Sequence, residues 1–146
     1  MRVVVQKVLN ASCSIDNKLY SKIDNGLVLF VGFTDGDDID KIKWMVNKVV
    51  NLRVFEDSNN IMNLSVKDVG GSILSISQFT LYGDANKGNR PSYIKALGGE
   101  EASMLYDLFN EELEKTGILL KTGKFKSDMK ISLINDGPTT ILLERW

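Results

Sequence analysis

The chain has 146 residues, of which 43% are hydrophobic and 25% charged, which fits one globular domain spanning residues 1–146. Its 18 basic and 19 acidic side chains give a net charge of −1, which excludes a strongly cationic nucleic-acid-binding protein and leaves room only for a local basic patch. Histidine is absent and Cys13 is the single cysteine, which excludes an intramolecular disulfide, a Cys/His zinc site and a Ser-His-Asp triad.

Apolar periodicity and turn residues predict about eight strands and two main helices. In chain order they are strands at residues 2–15, 18–23 and 26–34, a helix at 38–51, strands at 52–55 and 72–81, a helix at 100–115, and strands at 118–121, 126–134 and 139–143. No apolar run approaches the roughly 20 residues of a membrane-spanning helix. We therefore expect an α+β domain in a reducing, cytoplasmic setting.

One polar segment ends the predicted strand at residues 72–81. It consists of Ser77, Gln78, Phe79 and Thr80. The polar side chains could hydrogen-bond a ligand, and the neighbouring backbone N–H groups could face a developing oxyanion. Serine and threonine are also ordinary on a solvent-facing strand, so composition alone leaves both interpretations open.

A second unusual segment, residues 135–140, lies between the last two predicted strands and reads Asn-Asp-Gly-Pro-Thr-Thr. Its position predicts a hairpin turn, because proline cannot donate to a central ladder. The Gly137–Pro138 bond is also a place where a cis peptide can occur, which would fix two consecutive carbonyl groups in one direction.

Basic residues concentrate in two regions that could contact phosphates. They are Lys87, Arg90 and Lys95 in the first region, and Lys121, Lys124, Lys126 and Lys130 in the second. Because the net charge is near zero, a solvated lysine surface is the simpler interpretation from composition alone.

The two unusual segments resemble the paired signatures of the D-aminoacyl-tRNA deacylases. Residues 77–82 read SQFTLY and resemble one signature, and residues 135–140 are similar to the other, NxGPVT, with Thr139 in place of the usual valine. An extra hydroxyl at Thr139 needs a hydrogen-bond partner if it is buried. Segments at residues 6–8, 62–64, 70–72, 90–92 and 122–125 agree in order and spacing, so the resemblance covers essentially the whole chain.

The resemblance implies a homodimer with a layered β/β/α fold. It implies a carboxylic ester hydrolase that releases D-amino acids from the 3′ end of tRNA and also accepts glycyl-tRNA, including tRNA-Ala mischarged with glycine. It implies no metal and no other cofactor, and neither a membrane nor DNA as a partner.

The resemblance also implies roles for particular residues. Ser77, Gln78, Phe79 and Thr80 would line the catalytic pocket. Gly137 and Pro138, joined by a cis bond and inserted from the other subunit, would reject L-amino acids together with Asn135. The residues expected to contact tRNA phosphates are Lys87, Arg90 and Lys124.

Two mechanisms remain open at this stage. Thr80 could attack the ester carbonyl, although a threonine hydroxyl needs an activating base and the chain has no histidine. Alternatively, the 2′-hydroxyl of the terminal adenosine could orient or activate water, with backbone N–H groups near Phe79 and Thr80 stabilising the oxyanion. We favour the second mechanism. Two other function classes also remain, a non-catalytic module that binds RNA 3′ ends and a small-molecule esterase.

Overall fold

Eight β-strands, two α-helices and one short 3-10 turn make up the fold in a computed structural model that describes residues 1–146. They are β1 (Arg2–Ile15), β2 (Lys18–Ile23), β3 (Gly26–Gly32), α1 (Ile39–Asn51), β4 (Phe55–Glu56), β5 (Met62–Leu64), β6 (Ser72–Ser77), the turn (Phe79–Tyr82), α2 (Gly99–Glu114), β7 (Leu119–Thr122) and β8 (Met129–Glu144). The predicted α+β single domain with about eight strands and two main helices is confirmed. Neither α-helix has the length and apolar character that crossing a membrane would require.

Strand β1 organises the main sheet because both of its edges are paired. Along one edge its first half pairs with β3 and its second half with β2, both antiparallel. Along the other edge β8 pairs with it antiparallel. Beyond β3 the sheet continues with the parallel strands β6 and β7. A hydrogen bond from the Ser21 hydroxyl of β2 to the Thr122 carbonyl of β7 nearly closes this sheet on itself.

The β1–β2 hairpin forms where the sequence predicts it. Asp16 and Asn17, the two residues between the strands, have φ angles of 51° and 59°. Two-residue hairpins of type I′ require positive φ at both central positions, and Asp and Asn tolerate this conformation better than most residues.

Two hydrophobic clusters lie on opposite faces of β3. Leu27, Leu29 and Val31 belong to a cluster of 20 buried residues that packs the two helices against the sheet. Val28 belongs to a cluster of 7 buried residues between β3, β6 and the β1–β2 hairpin. The strand is thus buried on both faces, as its continuous apolar sequence predicts, and the layers follow the order helix, sheet, sheet.

The predicted strand at residues 72–81 is too long. Strand β6 ends at Ser77, the N–H of Gln78 makes a 2.7 Å hydrogen bond to the Val31 carbonyl, and the chain then turns. Close packing against β3 accompanies the turn, since a Cβ on Gly32 would lie 2.9 Å from the Gln78 carbonyl oxygen. The alternation of small polar and apolar residues could not distinguish this 3-10 turn from four more strand residues.

The last two predicted strands form one long strand, β8. The prediction of a hairpin turn at residues 135–140 is therefore wrong. Asn135 lies opposite Val8 and Thr140 lies opposite Gln6, so both arms pair with β1 in the same direction. Residues 136–139 stand opposite Lys7 alone and form a bulge. Strand β5, which pairs with the two-residue strand β4, was not predicted from the sequence.

We predict that Gly26→Ala strongly destabilises the fold. A Cβ at this position would lie 1.8 Å from the Ser72 carbonyl oxygen, so the parallel strands β3 and β6 would have to separate. We expect the free energy of unfolding to fall by about 3 kcal/mol or more, measured by urea denaturation.

Gly98→Ala is the matched control, because a Cβ there meets no atom within 4 Å. Its free energy of unfolding should change by less than about 1 kcal/mol. Equal stability of the two variants would contradict the predicted clash.

Candidate active site

A pocket of about 470 Å³ opens where strand β6 ends. Ser77, Gln78 and Phe79 contribute to its lining, so the structure brings three residues of the first signature to one cavity. Its apolar wall comes from β3, the start of α2 and the segment leading into β8, and includes Val31, Phe33, Ala102, Phe125 and Met129. No feature of the sequence marks this wall, because such residues look like ordinary core residues.

Thr80 differs from its three neighbours, because it is exposed and does not line the pocket. The side-chain amide of Gln78 donates a hydrogen bond to the Thr80 hydroxyl. An amide N–H cannot take up a proton, so this contact does not activate the hydroxyl as a nucleophile.

The turn that follows Gln78 presents backbone donors next to the pocket. The first N–H groups of a helical turn have no acceptor within it, which leaves those of Phe79 and Thr80 available to a ligand. Phe79 also makes an edge-to-face contact with Tyr93, with ring centroids 5.3 Å apart, and both aromatic rings line the pocket and are exposed. Apolar walls, exposed rings and backbone donors together suit a ligand with a flat base and a carbonyl group.

Arg2 fixes the far end of this turn. Its guanidinium donates to the Leu81 carbonyl at 2.8 Å, lies 4.6 Å from the centroid of the Tyr82 ring and forms a 2.6 Å ion pair with Glu144 of β8. Burial, and to a lesser degree the charge of Asp37, raises the pKa of Tyr82 to about 12. The phenol therefore stays neutral at physiological pH and the cation stacks on an uncharged ring.

Gly137 and Pro138 are exposed on the β8 bulge and do not line the pocket of their own chain. The bulge is held by Asn135, whose amide donates to the carbonyls of Lys7 and Thr139, both at 2.9 Å. The ammonium group of Lys7 lies 3.4 Å from the Asp136 carboxylate. Gly137 has a φ of 102°, which is the left-handed region that glycine tolerates best.

The expected cis bond between Gly137 and Pro138 is not found, since the structure contains no cis peptide bond. The trans form of an X–Pro bond is favoured by about 0.5–1 kcal/mol when no contact opposes it. Pro138 is exposed in the single chain, so no packing contact compensates for a cis form. The Thr139 hydroxyl is not among the buried side-chain atoms that lack a partner, so the extra polar group brings no desolvation penalty.

The three basic residues expected to contact tRNA lie at different places on the surface. Lys124 is exposed beside Phe125 of the pocket wall, Lys87 borders a separate second hollow, and Arg90 is exposed and lines neither cavity. No group of three or more His, Cys, Asp or Glu side chains is placed to hold a metal ion.

Fold and site together define a small α+β protein whose pocket combines apolar walls with hydroxyl, amide and backbone N–H groups. The sequence family described as D-Tyr-tRNA(Tyr) deacylase matches residues 4–144, so the chain belongs to this family of enzymes. The resemblance found in the sequence is thereby confirmed. The activity of this family is D-aminoacyl-tRNA deacylation, a proofreading reaction of translation. We therefore set aside the two other interpretations, a binding module without activity and a small-molecule esterase.

Individual relatives agree with this assignment. A D-aminoacyl-tRNA deacylase from Limosilactobacillus reuteri (strain DSM 20016) is 54% identical over 145 residues, covering 99% of this chain and 100% of the relative. One from Flavobacterium psychrophilum is 52% identical over 145 residues, with coverages of 99% and 97%. A solved structure named c-Myc DNA Unwinding Element Binding Protein has a TM-score of 0.94 at 40% identity, covering 99% of each chain. A probable eukaryotic D-amino acid tRNA deacylase, at 16% identity and covering 97% of each chain, shares the fold with a TM-score of 0.83.

We predict that Arg2→Met lowers kcat for D-aminoacyl-tRNA about ten-fold and changes KM less than two-fold. Methionine is also unbranched, but it cannot donate the hydrogen bond to the Leu81 carbonyl. The turn that carries Phe79 and Thr80 then loses this anchor. Steady-state deacylation kinetics give both parameters.

Arg53→Met serves as the control for this prediction. Arg53 makes comparable side-chain hydrogen bonds, but to Asn63 in the β4–β5 region away from the pocket. If both variants lost the same fraction of kcat, Arg2 would act through general stability rather than through the turn.

Proposed function

We propose that the pocket at the end of β6 hydrolyses the ester between a D-amino acid and the 3′-terminal adenosine of tRNA, and that a second copy of the chain supplies the residues that reject L-amino acids. One observation carries this proposal. Three residues of the first signature line the pocket, whereas Gly137 and Pro138 of the second signature are exposed elsewhere on the same chain. A homodimer would unite the two signatures.

The exposed edge of β8 supports the homodimer. This strand pairs only with β1, so its other edge is free in the single chain. Ile134 and Leu142 on this strand are 52% and 55% exposed. Unpaired strand edges that carry apolar side chains favour association with another chain.

Rejection of L-amino acids follows from the stiffness of the main chain at Gly137 and Pro138. Proline fixes its own φ angle, and glycine adds no side chain, so the backbone carbonyls can approach the substrate amino group and Cα–H. An L side chain would then collide with this backbone, whereas a D side chain points away from it. Glycine has no side chain to reject, so glycyl-tRNA, including glycine on tRNA-Ala, should also be hydrolysed.

The chain has no histidine, and the one carboxylate that lines the pocket, Asp128, forms a 2.8 Å ion pair with Lys130. This favours a reaction assisted by tRNA. A water oxygen attacks the ester carbonyl carbon while the terminal 2′-hydroxyl orients that water. The N–H groups of Phe79 and Thr80 stabilise the oxyanion, and Ser77 and Gln78 hydrogen-bond the substrate. The bond to the 3′-oxygen then breaks, that oxygen takes a proton, and the products are the free D-amino acid and tRNA.

Basic side chains around the pocket would bind phosphates of the tRNA. Lys124, Lys87 and Arg90 are exposed, and none of them takes part in an ion pair within the chain. Because the net charge is −1, we expect no comparable affinity for DNA, although one solved relative is named for a DNA element. We also propose that the protein acts in the cytoplasm, because aminoacylated tRNA is used there.

The reaction is tested with D-tyrosyl-tRNA, L-tyrosyl-tRNA and D-tyrosyl-tRNA whose terminal adenosine lacks the 2′-hydroxyl. We expect rapid loss of the D ester, little loss of the L ester, and slow hydrolysis of the 2′-deoxy ester. Thr80→Val should lower kcat by about 10² or less, because its hydroxyl only accepts a hydrogen bond from Gln78.

Two outcomes would contradict this mechanism. Full-rate cleavage of the 2′-deoxy substrate would exclude assistance by the 2′-hydroxyl. A loss of about 10⁴ or more in Thr80→Val, the scale of a removed nucleophile, would assign that role to Thr80.

A further inference from the structure

A second hollow, of about 280 Å³, lies beside the loop that follows the Phe79–Tyr82 turn. It is lined by Asp84, Lys87, Ser92, Ile94 and Lys95, so only one of its five lining residues is apolar. The other four side chains end in a charged or hydroxyl group, so the hollow can bind a small charged group.

The loop is closed so that its two lysines face the same space. Asp84 and Ser92 exchange two backbone hydrogen bonds of 2.9 and 2.8 Å, which brings Lys87 next to the residues after Ser92. The Thr34 hydroxyl donates a 2.6 Å hydrogen bond to the Lys95 carbonyl and ties this backbone to the end of β3. The loop base is therefore anchored, while both lysine side chains remain exposed.

The charge of the hollow is not neutralised within the chain. Neither Lys87 nor Lys95 takes part in any of the six ion pairs of the structure. Asp84 is the one carboxylate in the lining, and it accepts a 2.9 Å hydrogen bond from the Asn86 N–H. Two ammonium groups against one carboxylate leave a net positive site, and the Ser92 side chain adds a hydroxyl donor.

The hollow adjoins the pocket that takes the ester. Tyr93 and Ala96 line the pocket, and Ser92, Ile94 and Lys95 of the same segment line the hollow. We therefore expect a nucleic acid strand whose last nucleoside occupies the pocket to carry its preceding phosphates close to the hollow.

We propose that Lys87, Lys95 and Ser92 bind a backbone phosphate of the single-stranded 3′ end of tRNA. This inference rests on the proposed reaction, because the terminal nucleoside must occupy the pocket. Phosphate contacts position a nucleic acid without reading its sequence, so the hollow favours esters on a polynucleotide over esters on a nucleoside. It would serve every tRNA, since all share the same 3′ strand.

The test compares three D-tyrosyl esters, on adenosine without a phosphate, on the trinucleotide CCA and on full-length tRNA. For the wild type, kcat/KM should rise about ten-fold from the adenosine ester to the trinucleotide ester. In Lys87→Gln/Lys95→Gln this ratio should fall to near one, and the salt dependence of kcat/KM for the trinucleotide should flatten by about 0.7 in slope, as for one lost phosphate contact on a single strand.

Lys18→Gln is the matched control, because Lys18 is an exposed lysine on β2 outside both cavities. It should keep the wild-type ratio and slope. The inference is overturned if the double variant keeps the trinucleotide-to-adenosine ratio, or if the lysine-dependent gain appears only with full-length tRNA. If the wild type cleaves none of the three esters, the proposed reaction itself fails. If it cleaves all three at equal rates, only the hollow's role fails.

Discussion

Strand β1 fixes the relative position of the two signatures within one protomer. Its Arg2 side chain donates a hydrogen bond to the Leu81 carbonyl in the turn beside the pocket. The carbonyl of its Lys7 accepts a hydrogen bond from the Asn135 amide at the bulge. Both edges of β1 are paired, so this strand cannot slide without breaking two ladders at once. The pocket and the exposed Gly-Pro bulge are therefore rigidly related, as the proposed site shared between two copies requires.

The pocket has few groups that could act as a base or a nucleophile, and this shapes the proposed mechanism. The chain has no histidine, the Thr80 hydroxyl contacts only an amide donor among side chains, and burial keeps the nearby Tyr82 protonated with a pKa of about 12. What the protein offers instead is geometry, namely apolar walls and backbone donors beside a strand end. An ester of tRNA brings its own hydroxyl next to the scissile bond, and this explains how a site whose one carboxylate, Asp128, is paired with Lys130 can be selective for that substrate.

The sequence predicted the parts of the structure that periodicity and turn chemistry determine. The two helices, the β1–β2 hairpin and the doubly buried β3 were of this kind. The 3-10 turn at Phe79 was not, because its residues alternate like a strand and the turn is set by close packing on Gly32. The bulge at residues 136–139 was mistaken for a hairpin, since sequence does not reveal that both arms pair with β1. Ser77, Gln78 and Phe79 line a pocket, but its apolar wall could not be told from ordinary core residues in the sequence.

The central claim is that one protomer lends Gly137 and Pro138 to the pocket of the other. Pro138→Gly removes the ring that stiffens this backbone, whereas Ala102→Trp fills the pocket, whose wall includes Ala102. The decisive measurement is the ratio of D- to L-tyrosyl-tRNA hydrolysis by Pro138→Gly alone and after subunit exchange with about a ten-fold excess of Ala102→Trp, which is inactive by itself. We predict that the excess restores preference for the D ester, because each open pocket then receives an intact Gly-Pro pair. Unchanged hydrolysis of the L ester would contradict it.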